Sequence, residues 1–442
     1  MQRRGPHRTT WVLIVVAAVI VLSAAAAIWI TTLSATAAEP KIDWRVPLAE
    51  QQTPPDAAAA GDAVVMLADG DLTVLDAGSG AVRWTVPDVE GPVRVAADSV
   101  VYASGALIKV HDLAGGQERF SYRAELGHNP PFWTATPTTL VTVERDGKYR
   151  EAVATSLTTG KQLWHKRYDK ELAVAAPVLP DPVHTAMDAS PGVQVAAATS
   201  AVYLNTGLRE AGDEKSLTLD IATGTELDSP GTVFDLDTYS LITVGDRVVS
   251  VSERSGCETK VVLYDPLAKS AKTAGFGADC NASATTVRVD GGALIGQNLD
   301  GRPEVVDVVT GEPRWTADAR GVAQAFREPV LAYSPDGDDQ PLKIVDVSGG
   351  PEPWQARDTT PAAGPATLAG KYLLTSSGSF PTAERPDDAY ATTGYNIDID
   401  KLMWHQPGAR LIAVTEKYFV LAVCGTDYKE MKPAVVVAVP YT

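Results

Sequence analysis

The feature that most constrains this fold is a sequence pattern that first appears at residues 69–84 and then recurs along the chain. Alternating apolar residues at 72–75 predict a half-buried strand. The Asp-x-x-x-Gly run that ends at Gly80 predicts a tight turn, and Trp84 lies in the strand that follows it. A chain built from such units must fold largely as consecutive hairpins.

The repeat consists of an acidic residue, a glycine four residues later and an aromatic residue after a further four. Complete copies begin at Asp76, Asp112, Asp307 and Asp346, and degenerate copies begin at Ser156, Asp220, Asp265 and Asn396. Successive copies are roughly 40 residues apart, which is the length of one propeller blade. The sequence therefore predicts an all-β fold, a β-propeller of four-stranded antiparallel blades. Eight blades are favoured, although the literal count of units is nine, because residues 358–406 repeat irregularly.

The two ends of the chain complement each other. Residues 42–47 read as an outer strand with no strands before it, and residues 411–439 supply three strands without an outer one. Because an open ring would leave unpaired strand edges, we expect residues 42–47 to pair with residues 434–439 and close the propeller. The tryptophans at the outer-strand position are expected to pack between adjacent blades; they are Trp44, Trp84, Trp164, Trp315, Trp354 and Trp404.

An uncharged apolar segment at residues 11–33 has the length of one bilayer crossing, for which about 20 residues suffice. Basic residues precede it and acidic residues follow it, which orients the amino terminus toward the cytoplasm. We predict a basic cytoplasmic N-terminus at residues 1–10, a transmembrane helix at residues 11–33, a linker at residues 34–41 and an extracytoplasmic propeller at residues 42–442. The alternative is a secreted protein, with a signal peptide cleaved near Ala37.

The charge of the chain excludes one class of partner. The 442 residues carry a formal net charge of −17, and the few basic residues at the amino terminus make the remainder still more acidic. Such a surface repels polyanions, so we expect no nucleic-acid binding.

The run Asp-Gly-x-Leu-x-x-Leu-Asp at residues 69–76, followed by Gly80 and Trp84, resembles the pyrroloquinoline-quinone-like (PQQ-like) propeller repeat. The resemblance covers about residues 40–442. It implies a propeller, and the family contains quinoprotein dehydrogenases as well as exported non-enzymatic propellers, among them the lipoproteins that serve outer-membrane protein assembly. We favour a non-enzymatic, membrane-anchored binding or scaffold module for an envelope protein or cell-wall component. The alternative is a PQQ-dependent dehydrogenase or another redox enzyme that uses the central channel.

The residues that could carry chemistry form no recognised catalytic pattern. The six histidines lack the spacing of a metal site, and the only Gly-x-Ser-x-Gly-like run, around Ser79, lies in a hairpin turn. Quinoprotein dehydrogenases typically have adjacent cysteines at the cofactor, and no two of the three cysteines here are adjacent. We therefore predict no catalytic residue, no cofactor, no cofactor-binding residue and no metal ligand.

The three cysteines of this exported domain permit one disulfide. Cys257 is expected in the loop between the second and third strands of its blade, and Cys280 in the connection that leaves its outer strand, so both lie on one face. Cys424 belongs to the closing blade, across the ring. The sequence predicts a structural Cys257–Cys280 disulfide.

A propeller of this kind has two different faces. The inner-to-second and third-to-outer turns share one face, and the second-to-third loops share the other with the connections between blades. The tether enters at Trp44 from the first face, so the second face should point away from the membrane. The longer second-to-third loops are expected at residues 205–215, 334–341, 376–394 and 424–433. Candidate partner-binding residues in them are Asp336, Asp338, Asp339, Asp387 and Asp388.

Overall fold

Strands make up the regular structure in the part of the chain that the structure describes. The computed structural model describes residues 40–48, 55–105, 107–123, 132–146, 149–168, 173–174, 193–196, 199–205, 217–227, 238–244, 247–254, 258–265, 268, 270–277, 288–290, 292–336, 342–348, 354–355, 366–377, 391–398, 401–424 and 433–441. These residues form strands joined by turns and bends, as the repeat predicts. In this part of the chain no helix has the length and apolar character that a membrane crossing needs.

The strands are numbered in chain order. The first eighteen are Trp44–Pro47 (β1), Asp56–Ala60 (β2), Ala63–Ala68 (β3), Asp71–Asp76 (β4), Val82–Val86 (β5), Glu90–Ala96 (β6), Ser99–Ser104 (β7), Leu107–Asp112 (β8), Glu118–Arg123 (β9), Phe132–Ala135 (β10), Thr139–Asp146 (β11), Tyr149–Ser156 (β12), Gln162–Tyr168 (β13), Ala173–Val174 (β14), Val193–Val195 (β15), Ala201–Asn205 (β16), Leu217–Asp220 (β17) and Glu226–Leu227 (β18). The others are Thr238–Val244 (β19), Arg247–Arg254 (β20), Glu258–Asp265 (β21), Ser270–Gly277 (β22), Arg288–Asp290 (β23), Ala293–Gln297 (β24), Pro303–Asp307 (β25), Pro313–Thr316 (β26), Gly321–Arg327 (β27), Val330–Pro335 (β28), Lys343–Asp346 (β29), Trp354–Gln355 (β30), Ala366–Ala369 (β31), Tyr372–Ser377 (β32), Ala391–Asn396 (β33), Lys401–Pro407 (β34), Ala409–Val414 (β35), Tyr418–Cys424 (β36) and Pro433–Pro440 (β37).

Among the described residues these strands form nine sheets, eight of four strands and one of five. In chain order they are sheet 1 (β2–β5), sheet 2 (β6–β9 with β15), sheet 3 (β10–β13), sheet 4 (β14 and β16–β18), sheet 5 (β19–β22), sheet 6 (β23–β26), sheet 7 (β27–β30), sheet 8 (β31–β34) and sheet 9 (β35–β37 with β1). The number of sheets equals the literal count of repeats and exceeds the favoured eight, because the irregular repeat forms a complete sheet 8. The number of blades in a closed ring stays a prediction.

The burial of each strand follows from its place in its sheet. The second strand of sheet 2, Ser99–Ser104, is buried at every position but the last, because neighbouring sheets cover both of its faces. The outer strand of the same sheet, Glu118–Arg123, has no fully buried residue. Apolar runs therefore occupy the middle of each repeat, and charged residues accumulate at its end.

Eight apolar clusters in the described residues each join two sheets that are neighbours along the chain or at its closure. They link the sheets in the order 5, 6, 7, 8, 9, 1, 2, 3, 4. Four-stranded meanders packed face to face in this sequential order are the arrangement of a β-propeller. The hydrophobic core thus lies in the interfaces between neighbouring sheets, each of which is called a joint.

Sheet 9 contains both ends of the described chain. Strand β1 pairs antiparallel with β37, with Trp44 opposite Ala438 and Pro47 opposite Val435. The amide of Asp43 also donates to the carbonyl of Ala438 at 3.1 Å. This is the pairing that the incomplete repeats at the two ends led us to expect, and it leaves β37 with a partner on both sides.

Four aromatic residues at the repeat position pack on the turn of the next sheet: Trp44 on Gly80, Trp84 on Gly116, Phe120 on Gly160 and Trp164 on Gly224. Trp44 of sheet 9 donates its indole N–H to the carbonyl of Ala77 in sheet 1 at 3.0 Å and lies against Gly80. Trp164 of sheet 3 does the same in sheet 4, where its indole N–H donates to Ile221 at 2.8 Å and its ring lies against Gly224. The repeated glycine is therefore needed twice, for its positive φ and for the space that the ring occupies.

One strand departs from the meander. Strand β15 follows β14 of sheet 4 along the chain, yet it pairs parallel with β6, the inner strand of sheet 2. It also packs alongside β2 of sheet 1, and Val193 is fully buried in the cluster between those sheets. The chain thus leaves sheet 4, adds a strand to the inner edge of sheet 2, and returns to β16.

Candidate functional site

One face of the molecule is defined by turns that hydrogen-bond to each other. The amide of Ala77, in the third-to-outer turn of sheet 1, donates to the carbonyl of Asp62, in the inner-to-second turn, at 2.8 Å. Leu113 and Asp98 make the same bond in sheet 2. The two kinds of turn therefore share one face, as predicted, and we call it the turn face. The opposite face, which carries the second-to-third connections, is called the loop face.

The acidic residue of the repeat organises its own turn. The Oδ1 atom of Asp76 accepts from the amides of Gly78 and Ser79 at 3.1 and 2.9 Å and from the Ser79 hydroxyl at 2.8 Å. A hydrogen bond from Arg83, followed by the one from Ser79, lowers the pKa of the Asp76 carboxyl to about 2. The carboxylate is thus fully engaged inside the turn.

An arginine directly before the repeated aromatic residue ties turns together at three places. Arg83 contacts both Asp62 and Asp76 at 2.8 Å, so it bridges the two turns of sheet 1. Arg119 bridges Asp98 and Asp112 within sheet 2 in the same way. Arg314 of sheet 6 instead joins Asp307 of its own sheet to Glu328 in the inner-to-second turn of sheet 7. These ion pairs satisfy charges of the turn face within the protein and leave fewer of them for a partner.

The histidines described by the structure have structural partners. His111 lies between the hydroxyl of Tyr102 and the carbonyl of Gly116, each 3.0 Å from a ring nitrogen, and its ring stacks with Trp84. His165 is on an outer strand, half-exposed, 3.1 Å from Glu151. Within the described residues no group of three or more His, Cys, Asp or Glu side chains is arranged to hold a metal ion.

The loop face carries the longer connections, with bounds that differ from those read from the sequence. The four longer connections between second and third strands are residues 206–216, 336–342, 378–390 and 425–432, in sheets 4, 7, 8 and 9. The expected loop 376–394 was too long, since Ser377 ends β32 and Ala391 begins β33. Thr392, Thr393 and Gly394 were expected in the loop because their sequence shows no apolar alternation. Their pairing with β32 instead places them in sheet 8.

The sequence-predicted site residues fall mostly outside the described residues. Asp336 is described: it is exposed on the loop face, and its amide donates to the carbonyl of Arg320 at 2.9 Å. Asp338, Asp339, Asp387 and Asp388 lie outside the described residues, as do Cys257 and Cys280. Their grouping into a partner-binding surface, and the Cys257–Cys280 disulfide, stay predictions.

Sequence reasoning missed a buried polar group at the joint between sheets 2 and 3. Arg94 is only 7% exposed, on an inner strand that otherwise reads as apolar, and its guanidinium lies 6.0 Å from the centre of the Trp133 ring. Gln194, on the added strand β15, is its neighbour in the register. The available sequence signal was a charged residue flanked by the apolar residues Val93 and Val95.

Comparison with known proteins concerns the fold alone. No protein-family model matches the sequence, and no curated protein matches it. Among solved structures, the chain is similar to a eukaryotic initiation factor at 11% identity, with 85% of this chain and 92% of that chain covered and a TM-score of 0.51.

Two further structures are similar at lower TM-scores. BamB from Moraxella catarrhalis matches at 14% identity, covering 76% of this chain and 94% of that chain, with a TM-score of 0.41. The Dos1 propeller matches at 12% identity over 76% of this chain and 92% of that chain, with a TM-score of 0.43. None of these likenesses carries information on activity.

Proposed function

We propose that this chain is a membrane-anchored, extracytoplasmic β-propeller that binds an envelope protein or cell-wall component through its loop face. The observation that carries the proposal is the contrast between the two faces. On the turn face, most turns are short and engage their carboxylates internally, as Asp76 does with Arg83; the exception is the connection from β14 to β16 in sheet 4. On the loop face, four of the second-to-third connections have seven to thirteen residues and differ in length, which is the usual arrangement for recognition on a rigid scaffold.

The point of attachment supports this orientation. Trp44, the first residue of β1, contacts the turn at Ala77 and Gly80, so the chain enters the propeller at the turn face. If residues 11–33 cross the membrane, the linker at 34–41 extends over at most about 30 Å. The turn face then lies near the membrane, and the loop face points toward the envelope.

The sequence of the loop-face connections indicates the charge of the partner. Residues 336–342 contain three aspartates and no basic residue, and residues 378–390 contain three acidic residues and one arginine. A partner surface with basic residues would associate faster with such a face and more slowly in high salt.

The proposal is tested by shortening residues 378–390 and 337–341 to Gly-containing turns, which leaves strands β28, β29, β32 and β33 in place. In-cell crosslinking with mass spectrometry should then identify a partner of the wild type whose recovery falls at least tenfold in the variant. The matched control is the double variant Asp62→Asn and Glu312→Gln, which removes the same kind of charge from the turn face. Equal recovery from both variants and the wild type would contradict binding at the loop face.

A further inference from the structure

The joint between sheets 2 and 3 holds a buried arginine without a counter-charge. Arg94 makes one hydrogen bond in the structure, from Nη1 to the carbonyl of Val93 at 3.3 Å, and its Nε atom is buried with no acceptor. It forms no ion pair with any described residue. Burial lowers its pKa to about 10, and no neighbouring charge offsets that effect. A cation in such a place is unfavourable unless a negative partner accompanies it.

The pairing of β15 with β6 places a second polar side chain, that of Gln194, next to Arg94 on the same face of sheet 2. Gln194 is the parallel partner of Arg94, and Ala96, two residues beyond Arg94, belongs to the cluster shared with sheet 3. Residues two apart on a strand share a face, so Arg94 faces sheet 3 and Gln194 lies beside it. The Oε1 atom of Gln194 is also buried without a hydrogen-bond donor.

Sheet 3 supplies a third group opposite these two. Trp133, whose ring lies 6.0 Å from the Arg94 guanidinium carbon, is paired with Thr142 across strands β10 and β11. Cross-strand partners project to the same face, so Thr142 also faces sheet 2. Its hydroxyl is buried with no hydrogen-bond partner. Three unpartnered polar atoms thus come from three different strands at one joint.

We propose that this joint is a binding site for a small hydroxy- or amino-substituted carboxylate. The guanidinium Nε–H and the Thr142 hydroxyl are donors for the carboxylate, and the Trp133 ring forms an apolar wall. The Gln194 Oε1 atom is an acceptor, so it suits a hydroxyl or ammonium group next to the carboxylate. The site is independent of the loop face and of any partner bound there.

The test measures thermal unfolding of the full-length protein in detergent at constant ionic strength, with sodium glycolate, acetate or chloride as the varied salt. Glycolate should raise the wild-type midpoint in a saturable manner, at concentrations several-fold below those of acetate, and chloride should have no saturable effect. Arg94→Met should abolish the response to both carboxylates. Arg410→Met, in the inner strand of sheet 9 where Arg410 is only partly buried, should keep it.

Two milder variants keep the test decisive if Arg94→Met does not fold. Thr142→Val, which preserves shape, should raise the half-saturating concentration of acetate and glycolate roughly tenfold. Gln194→Leu should remove the preference for glycolate over acetate while acetate still stabilises. An equal response of the wild type and these variants, no response of the wild type to either carboxylate, or an equal response to chloride would each overturn the assignment.

Discussion

The indole of Trp84 in sheet 1 lies directly over Gly116 in sheet 2, so closely that a Cβ atom at Gly116 would lie 2.3 Å from Cγ of the ring. The indole N–H donates to the carbonyl of Leu113 in the same turn at 2.9 Å. The repeated glycine and the repeated tryptophan are therefore two halves of one contact between neighbouring sheets. The spacing of glycine and tryptophan in the sequence repeat therefore reflects this contact.

Gly116→Ala should destabilise the protein by roughly 2–4 kcal/mol, because the methyl group meets the Trp84 ring and the φ of +68° disfavours any side chain. Gly105→Ala is the matched control, since φ is +57° there but a Cβ atom would meet nothing within 4 Å. It should lose only about 1–2 kcal/mol. Urea unfolding measures both, and equal losses would show that the contact contributes nothing beyond the backbone conformation.

Asp307→Asn should cost about 1–2 kcal/mol at neutral pH and much less near pH 2. Burial raises the pKa of the Asp307 carboxyl, but hydrogen bonds from the amides of Thr310 and Val309 and from Arg314 outweigh it and lower the pKa to about 2. A lowered pKa means that the unfolded chain binds the proton first as pH falls. The stabilisation is therefore present above about pH 4 and is lost as pH falls toward 2.

Denaturant unfolding of the wild type and of Asp307→Asn between pH 2.5 and 7 checks this pH dependence. Asp318→Asn, at an exposed residue near the same strand, is the control and should track the wild type throughout. A difference between Asp307→Asn and the wild type that is the same at pH 3 and pH 7 would contradict the ionic explanation.

Removing residues 433–442 should lower the thermal midpoint by well over 10 °C or abolish folding, because β37 lies between β1 and β36 in sheet 9. The deletion removes Val436 and Ala438 from the apolar cluster between sheets 9 and 1, exposes the rest of that cluster to water, and leaves Trp44 without its strand partner. Differential scanning calorimetry measures the midpoint. An unchanged midpoint would mean that the pairing of the chain ends does not hold the propeller together.

Val193→Asp should destabilise the protein by roughly 3 kcal/mol or more, because Val193 of β15 is fully buried in the apolar cluster between sheets 1 and 2. The matched control is Val309→Asp, at a valine that is 54% exposed in the turn of sheet 6, with an expected effect within about 0.5 kcal/mol. Equal unfolding midpoints for the two variants would show that the added strand is not part of the cooperative structure.

Much of the fold followed from the repeat because its parts act locally or through the adjacent unit. The Asp76 turn depends on hydrogen bonds within four residues, and the Trp44 and Trp84 contacts recur at fixed spacing, so alignment of the repeats was enough to find them. The pairing of the chain ends could also be predicted from the repeat, because one end lacks the strands that the other end supplies. The repeat predicts sheet 8 least clearly, because Asn396 and Asp400 stand where the complete repeats have an acidic residue and a glycine.

The candidate sites were decided by tertiary structure. Nothing in the local sequence of Val193–Val195 shows that it pairs with β6, about a hundred residues earlier, because its short apolar run fits any inner strand. Likewise Arg94, Thr142 and Gln194 are unremarkable in sequence, and become a site only because three strands bring their unpartnered atoms to one joint. The sequence by itself determined the repeating sheet and its turns, since these are local and periodic. The tertiary structure alone decided which buried polar groups meet, since that depends on contacts that no repeat encodes.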